Sequence, residues 1–238
     1  MKPPAADPAL LEKLVLANRI LYRYGVVDGF GHVSARHNAS PGHFLLSRNM
    51  APALVRLEDI VTFDLDGAAL DTEGRRVYLE RFIHAEIYRA RPDVQAVVHS
   101  HSPSVIPFGV TGQMLRPVFH MSGFLGEGSA LFDIRDVAGD TNMLVSDAKL
   151  GAALAACLGA RSTVLMRGHG STVVGASVEQ AVYRAYYAEV NARLQMQARM
   201  LGEVKYLSAQ EAAKAAAAND TQLARVWELW RQEIGSID

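Results

Sequence analysis

Cysteine is almost missing from this 238-residue chain. The one residue, Cys157 in LAACLGA, has no partner for an internal disulfide, so a reducing compartment, the cytoplasm, is expected. Its Ala and Leu neighbours suggest a small core residue rather than a reactive thiol. An excess of one charge is missing too. Lys and Arg number 24 against 25 Asp and Glu, for a net charge of −1, and no basic block of five or six occurs. That argues against a polyanionic partner, nucleic acid included. No run approaches the ~18 apolar residues of a membrane span. The opening MKPPAADPALLEKLVLANRI is interrupted by Glu12, Lys13 and Arg19, so no signal-peptide core is expected. Internal repeats and Ser/Gly-rich linkers are also lacking. What remains is an ordinary composition, 50% hydrophobic and 21% charged, and enough chain for a sizeable core. We read residues 1–238 as a single domain, with the Ala-rich 203–238 a C-terminal helical arm.

Hydrophobic spacing gives the order of elements. Leu10, Leu14, Ala17 and Leu21 recur at helical intervals after Asp7-Pro8 and stop at Gly25, predicting a helix over 8–24. In DGFGHVSARH (28–37), Val33 and Ala35 alternate with Ser34 and Arg36, the pattern of a strand after a turn. HFLLS (43–47) can pair with it as a hairpin, and IVTFDLDGAAL (60–70) reads as strand, Asp-Gly turn, strand. A helix over 80–91 stops at Arg91-Pro92, and the strand VQAVVHSHS follows. SVIPFGVTG and LRPVFHM are short apolar pieces divided by Gly and Pro. Then come a helix over 147–159, two strands around Gly168-His169-Gly170, and a long helix over 178–200 opened by a Ser177/Gln180 capping box. Ser208 with Glu211 repeats that box, and a last helix aligns Leu223, Trp227, Trp230 and Ile234 on one stripe. Several strand connections are too short for a parallel crossover. The expected class is α/β, a three-layer α/β/α arrangement around a mainly antiparallel sheet.

Chemistry concentrates in some of the eight histidines. His99 and His101 end an apolar strand, and on a strand two residues one apart share a face. Two imidazoles so placed can share a metal ion, or can be unrelated. His37 and His43 flank a polar loop and are expected in solvent. His84 falls among core-spaced helix residues, where a satisfied core histidine is the simpler reading. His169 stands between two glycines just past the strand TVLM, which frees the backbone to turn and clears bulk from the ring. His99, His101 and His169 together would supply three nitrogens, the pattern of a catalytic zinc site with an open position. Glu80 opens the helix before the His99 strand. It either complements the helix dipole or serves as a general acid/base beside a metal.

The motifs GHVSAR (31–36), ERFIHAEIYRARPDVQAVVHSHSP (80–103) and MRGHGSTVVG (166–175) resemble the class II aldolase/adducin family over roughly residues 8–200. The resemblance implies a mainly antiparallel sheet between helical layers, and a cyclic homotetramer with its active site near a subunit boundary. It further implies a divalent cation, zinc or else manganese or another, on His99, His101 and His169, with Glu80 as the acid/base. Sugar-phosphate members carry Gly-Asn, Thr-Gly and Ser-Ser where this chain has Gly31-His32, Ser47-Arg48-Asn49 and Tyr78-Leu79. A phosphate would thus lose donors worth about 1.5–3 kcal/mol each. Arg48 suits a planar carboxylate, and Tyr78 and Leu79 suit a flat apolar body. The aldolases' tyrosine after the Pro-x-x-His turn is replaced by Met121. This set is closer to the family's branch of metal-dependent decarboxylases of hydroxylated aromatic or pyridine carboxylic acids. Such a reading puts His32, Ser47, Arg48, Tyr78 and His120 on a small carboxylate substrate. The alternatives are an aldolase acting on a small hydroxy-ketone or sugar-type substrate, and a non-catalytic adducin-like assembly module.

Overall fold

A computed structural model describes residues 4–235. Helix α1 (Pro8–Arg23) starts where Asp7 caps the Ala9 amide, with proline in the first turn. Three strands follow, β1 (His32–Arg36), β2 (His43–Ser47) and β3 (Ile60–Asp64). Next come α2 (Arg81–Ala90), β4 (Ala96–Ser100) and α3 (Ile106–Thr111). The chain continues through β5 (Ala130–Phe132), α4 (Arg135–Ala138), α5 (Ala148–Leu158), β6 (Thr163–Met166) and β7 (Gly170–Gly175). It closes with α6 (Val178–Leu201), α7 (Ala209–Asp220) and α8 (Leu223–Ile234).

The seven strands form one sheet in the order β3-β2-β1-β4-β7-β6-β5. Every pairing is antiparallel except β5 with β6. That one parallel pair has α4 and α5 in its crossover, the length such a connection needs. Alternation sorts the strands' side chains to two faces. Phe44, Leu46, Val61, Phe63, Val97 and Val174 pack with Ile83, Ile87 and Leu154 from α2 and α5. Val33, Ala35, Leu45, Val98 and Val173 pack with Leu14, Leu21 and Val182 from α1 and α6. The result is the expected class: helices, a mainly antiparallel sheet, helices. Trp227 and Trp230 of α8 join the α1/α6 side, with Leu223 and Ile234 packed against it.

Several local expectations are corrected. The second strand of 60–70 shrinks to one bridge, Phe63 with Ala69, because the Asp71 carboxylate takes the Thr62 amide that a longer ladder would use. SVIPFGVTG contains α3, and LRPVFHM leads into a 3₁₀ turn, His120–Leu125. The Ser177 box is half made: Ser177 caps Gln180, but the Gln180 side chain reaches the Ala176 amide instead. His37 is buried, not solvated, between the Ala39 amide and the Pro4 carbonyl. Cys157 is only half-buried, its thiol donating to the Leu131 carbonyl.

Two features position the site. Arg36 tucks its guanidinium beneath the end of α2 and donates to the carbonyls of Tyr88, Arg91, Val94 and Pro41, which pins that helix to β1. At the other end of the sheet, Gly170 lets β7 start hard against the end of β4. A Cβ there would lie 2.1 Å from the Ser100 carbonyl oxygen. Gly170→Ala is therefore expected to destabilise the protein by at least about 1–3 kcal/mol. Urea unfolding of the metal-free protein checks this, and an unchanged midpoint would disprove the tight approach.

Candidate metal centre

Strand direction explains why distant histidines meet. Because β4 and β7 are antiparallel, the exit of one lies beside the entrance of the other. His99 sits near the end of β4, His101 just past it, and His169 just before β7. Glu80 joins them from the start of α2. One ligand atom from each of Glu80, His99, His101 and His169 lies within 4.8 Å of the others. The Glu80 Oε2 oxygen is 3.6 Å from Nε2 of both His99 and His169. Nε2 of His169 faces Nε2 of His101 at 3.0 Å.

The donor set suits a divalent cation. His99 Nε2 is fully buried and has no hydrogen-bond partner among the described residues, an arrangement that costs free energy unless something fills it. His169 Nδ1 donates to the Met143 carbonyl at 3.0 Å. A carbonyl only accepts, so the neutral His169 ring turns a bare Nε2 inward, the usual outer support of a metal-binding imidazole. Burial pushes His99 down to about 3 and lowers His101 as well, which favours neutral rings with lone pairs to give. Burial alone would raise the Glu80 carboxyl. The nearby His99 and His169 and the Val145 amide outweigh it and hold the group at about 2, ionised.

Glu80 stands at the cap position of α2 but makes no side-chain cap there. Its Oε1 accepts from the Val145 amide at 3.1 Å. The carboxylate is turned toward the imidazoles rather than back onto its own helix. The loop ahead of α5 serves both ends of the site, with Met143 orienting His169 and Val145 anchoring Glu80. Met143 holds φ at 71°, a left-handed conformation uncommon for a side-chain-bearing residue. The Thr141 and Asn142 side chains accept the Met143 and Leu144 amides and hold the turn.

Three of the five expected substrate contacts are contiguous with this cluster. His32 is the cross-strand neighbour of His99, with ring centres 5.1 Å apart. Tyr78 packs on His32 at 4.5 Å, and its hydroxyl meets Ser47 Oγ at 3.2 Å and the Met50 carbonyl at 2.5 Å. Arg48 lies beyond them, its Nε donating to Asp59 at 2.6 Å. Among the described residues no contact joins Arg48 to the imidazoles. His120 is exposed. Its ring rests near Phe119 and its carbonyl accepts from Asn219, and no contact among the described residues joins it to the cluster. Sequence reasoning missed Phe30, which is 70% exposed with its ring 6.3 Å from that of His101. A bulky aromatic between Gly29 and Gly31, just ahead of the His32 strand, was the available signal.

Residues 12–196 match the family model described as Class II Aldolase and Adducin N-terminal domain. Decarboxylase tropJ of Talaromyces stipitatus is 36% identical, over 98% of this chain and 96% of that protein. A 3,4-dihydroxyphthalate decarboxylase of Arthrobacter keyseri is 34% identical, over 84% of this chain and 82% of its own. Among solved structures, the L-fuculose 1-phosphate aldolase of Glaciozyma antarctica superposes with a TM-score of 0.76 at 25% identity, covering 96% of this chain and 93% of that one.

Proposed function

The chain belongs to the class II aldolase and adducin family, and from that premise we propose that it is a metal-dependent decarboxylase of a hydroxylated aromatic or heteroaromatic carboxylic acid. The observation that carries the reading is the quartet of Glu80, His99, His101 and His169, with a buried nitrogen that no described residue satisfies. Zinc suits three imidazoles and a carboxylate, and manganese is the next candidate. The relatives named above as decarboxylases support carbon–carbon cleavage with loss of CO₂. Phe30, Leu79 and Tyr78 support an aromatic body: the first two are exposed, and the third packs on His32. The same reading makes the protein a cytoplasmic homotetramer, with residues 203–235 an arm of its single domain; the expected end of that arm, 236–238, lies outside the described residues. No described helix is long and apolar enough to cross a membrane.

A divalent cation bound here would act as a Lewis acid, stabilising the electron pair left when the carbon–carbon bond breaks. The chain's own groups manage the proton and the fit. Glu80, ionised at rest, takes the substrate's hydroxyl proton and returns it to the ring carbon from which CO₂ departs. His32 and Tyr78 hold the reacting face, with Ser47 fixing the Tyr78 hydroxyl. The Met121 thioether has no proton to give in aldol cleavage, and its carbonyl is occupied by the Tyr183 hydroxyl at 2.9 Å.

The test uses purified protein with a panel of hydroxylated aromatic and pyridine dicarboxylates. CO₂ release is expected, abolished by chelation and restored by a divalent ion. Undiminished turnover in fully metal-free protein would overturn the metal assignment. An aldehyde product from hydroxy-ketones, with no CO₂ from any acid, would favour the aldolase reading. Arg48 carries a separate expectation. Its Nε is committed to Asp59, leaving the terminal nitrogens to meet a second carboxylate. Arg48→Ala should raise KM for a dicarboxylate about tenfold, the loss of one charge-assisted contact of about 1.5 kcal/mol. An unchanged KM assigns Arg48 to its pairing with Asp59 alone.

A further inference from the structure

Beneath the metal centre a file of four polar side chains runs into the core. His32 Nδ1 lies 2.7 Å from His84 Nε2, His84 Nδ1 lies 2.6 Å from Ser34 Oγ, and Ser34 Oγ lies 2.8 Å from the Tyr88 hydroxyl. All four residues are buried. Their order follows from two periodicities. His32 and Ser34 share one face of β1, and His84 and Tyr88 are one helical turn apart on α2. Where α2 crosses β1 the two pairs interleave.

Such a file has a direction, because each link takes a single hydrogen. The file ends at the Tyr88 hydroxyl, which is buried with Ser34 Oγ 2.8 Å away. Among the described residues, its hydroxyl hydrogen has one acceptor, Ser34. Ser34 Oγ has no further acceptor among the described residues, so its own hydrogen goes to His84 Nδ1, which is then bare. The His84 hydrogen therefore sits on Nε2 and is given to His32 Nδ1. A neutral His32 is left with its hydrogen on Nε2. Reversing the file would strand the phenol hydrogen inside the core, a costly outcome for a group with no other acceptor.

We propose that Tyr88, Ser34 and His84 form a positioning relay that locks His32 as its Nε2–H tautomer, a neutral hydrogen-bond donor for an anionic oxygen of the reactant. Nδ1 of His32 is spent on His84, so Nε2 is the nitrogen left for the site. The direction of the relay follows from the protein alone. The identity of the accepted oxygen, a carboxylate or phenolate of the substrate, rests on the decarboxylase reading. A neutral donor is the form that can stand beside the imidazoles of His99, His101 and His169 without repelling a cation they share.

The experiment is long-range ¹H–¹⁵N NMR of zinc-loaded protein carrying ¹⁵N-histidine, which distinguishes the two tautomers of each ring. Signals are assigned through His32→Gln and His84→Gln. The expected result is one tautomer for each ring, hydrogen on Nε2 in both His32 and His84. A His32 hydrogen on Nδ1 in the unaltered protein would overturn the proposal, whatever the variants do. Ser34→Ala should give a mixture of His32 tautomers and about a tenfold loss in kcat at unchanged zinc content. Ser34→Thr, which keeps the hydroxyl, should restore both, and a failure of Thr to restore the single tautomer counts against the relay. The NMR readout needs no turnover. A protein with the expected tautomers that releases no CO₂ from any acid tested therefore refutes the decarboxylase reading and leaves the relay standing.

Discussion

Glu80→Gln should leave the metal bound and slow CO₂ release by about 10²–10⁴-fold, the usual contribution of a positioned acid/base. Glutamine keeps the size of the side chain and can still accept the Val145 amide, which Glu80 Oε1 now accepts at 3.1 Å. It cannot carry a proton. The substitution thus separates proton transfer from architecture. Three imidazoles remain to hold the cation, so metal content measured after dialysis should match the unaltered protein. No stability is lost through a helix cap, because Glu80 makes none. A near-native rate with full metal content would remove Glu80 from the proton path. Loss of metal would make the carboxylate an essential ligand instead.

The parts of this site that could be read in the sequence are those with a local pattern. His99 and His101 stand one residue apart at the end of an apolar strand, and His169 is flanked by glycines. Each is visible within ten residues, and each lies at the strand end or turn that its pattern predicts. Glu80 was legible as a helix start, but its direction was not. Whether it caps its helix or leaves it depends on the Val145 amide, 65 residues away. His84 looked like a satisfied core histidine and is one, yet its partners are His32 and Ser34, on a strand some 50 residues earlier. That contact depends on how α2 crosses β1, which no spacing rule within either element encodes. His37 was misread for a similar reason: its loop sequence is polar, but the Pro4 carbonyl closes over the ring. Arg48 was judged by its chemistry, and its nearest acid, Asp59, shares a turn that sequence reasoning had not drawn. The fold was more legible than the site because alternation and helical spacing repeat along each element. A constellation of single side chains has no repeat to betray it.

Removing one imidazole should empty the centre. His169→Ala and His99→Ala are each expected to weaken divalent-metal binding by at least about 10²-fold, since loss of an outer supporting partner alone typically costs 10–100-fold, and CO₂ release should fall to background with it. The two variants should differ in stability, because the rings differ in setting. His99 is completely enclosed in β4 between His32 of β1 and Thr172 of β7. Replacing it with alanine opens a void in the packed sheet, at a cost of about 2–4 kcal/mol by analogy with other large-to-small core changes. His169 sits in the turn between β6 and β7, and its recorded hydrogen bonds run to Met143 and His101. Its loss should lower the melting temperature of metal-free protein by less than the loss of His99. Calorimetric titration with zinc gives the affinities, and thermal unfolding under chelator gives the stabilities. Full zinc affinity in either variant would show that these nitrogens do not share an ion. Equal melting temperatures would show instead that His99 is less tightly packed than its complete burial implies.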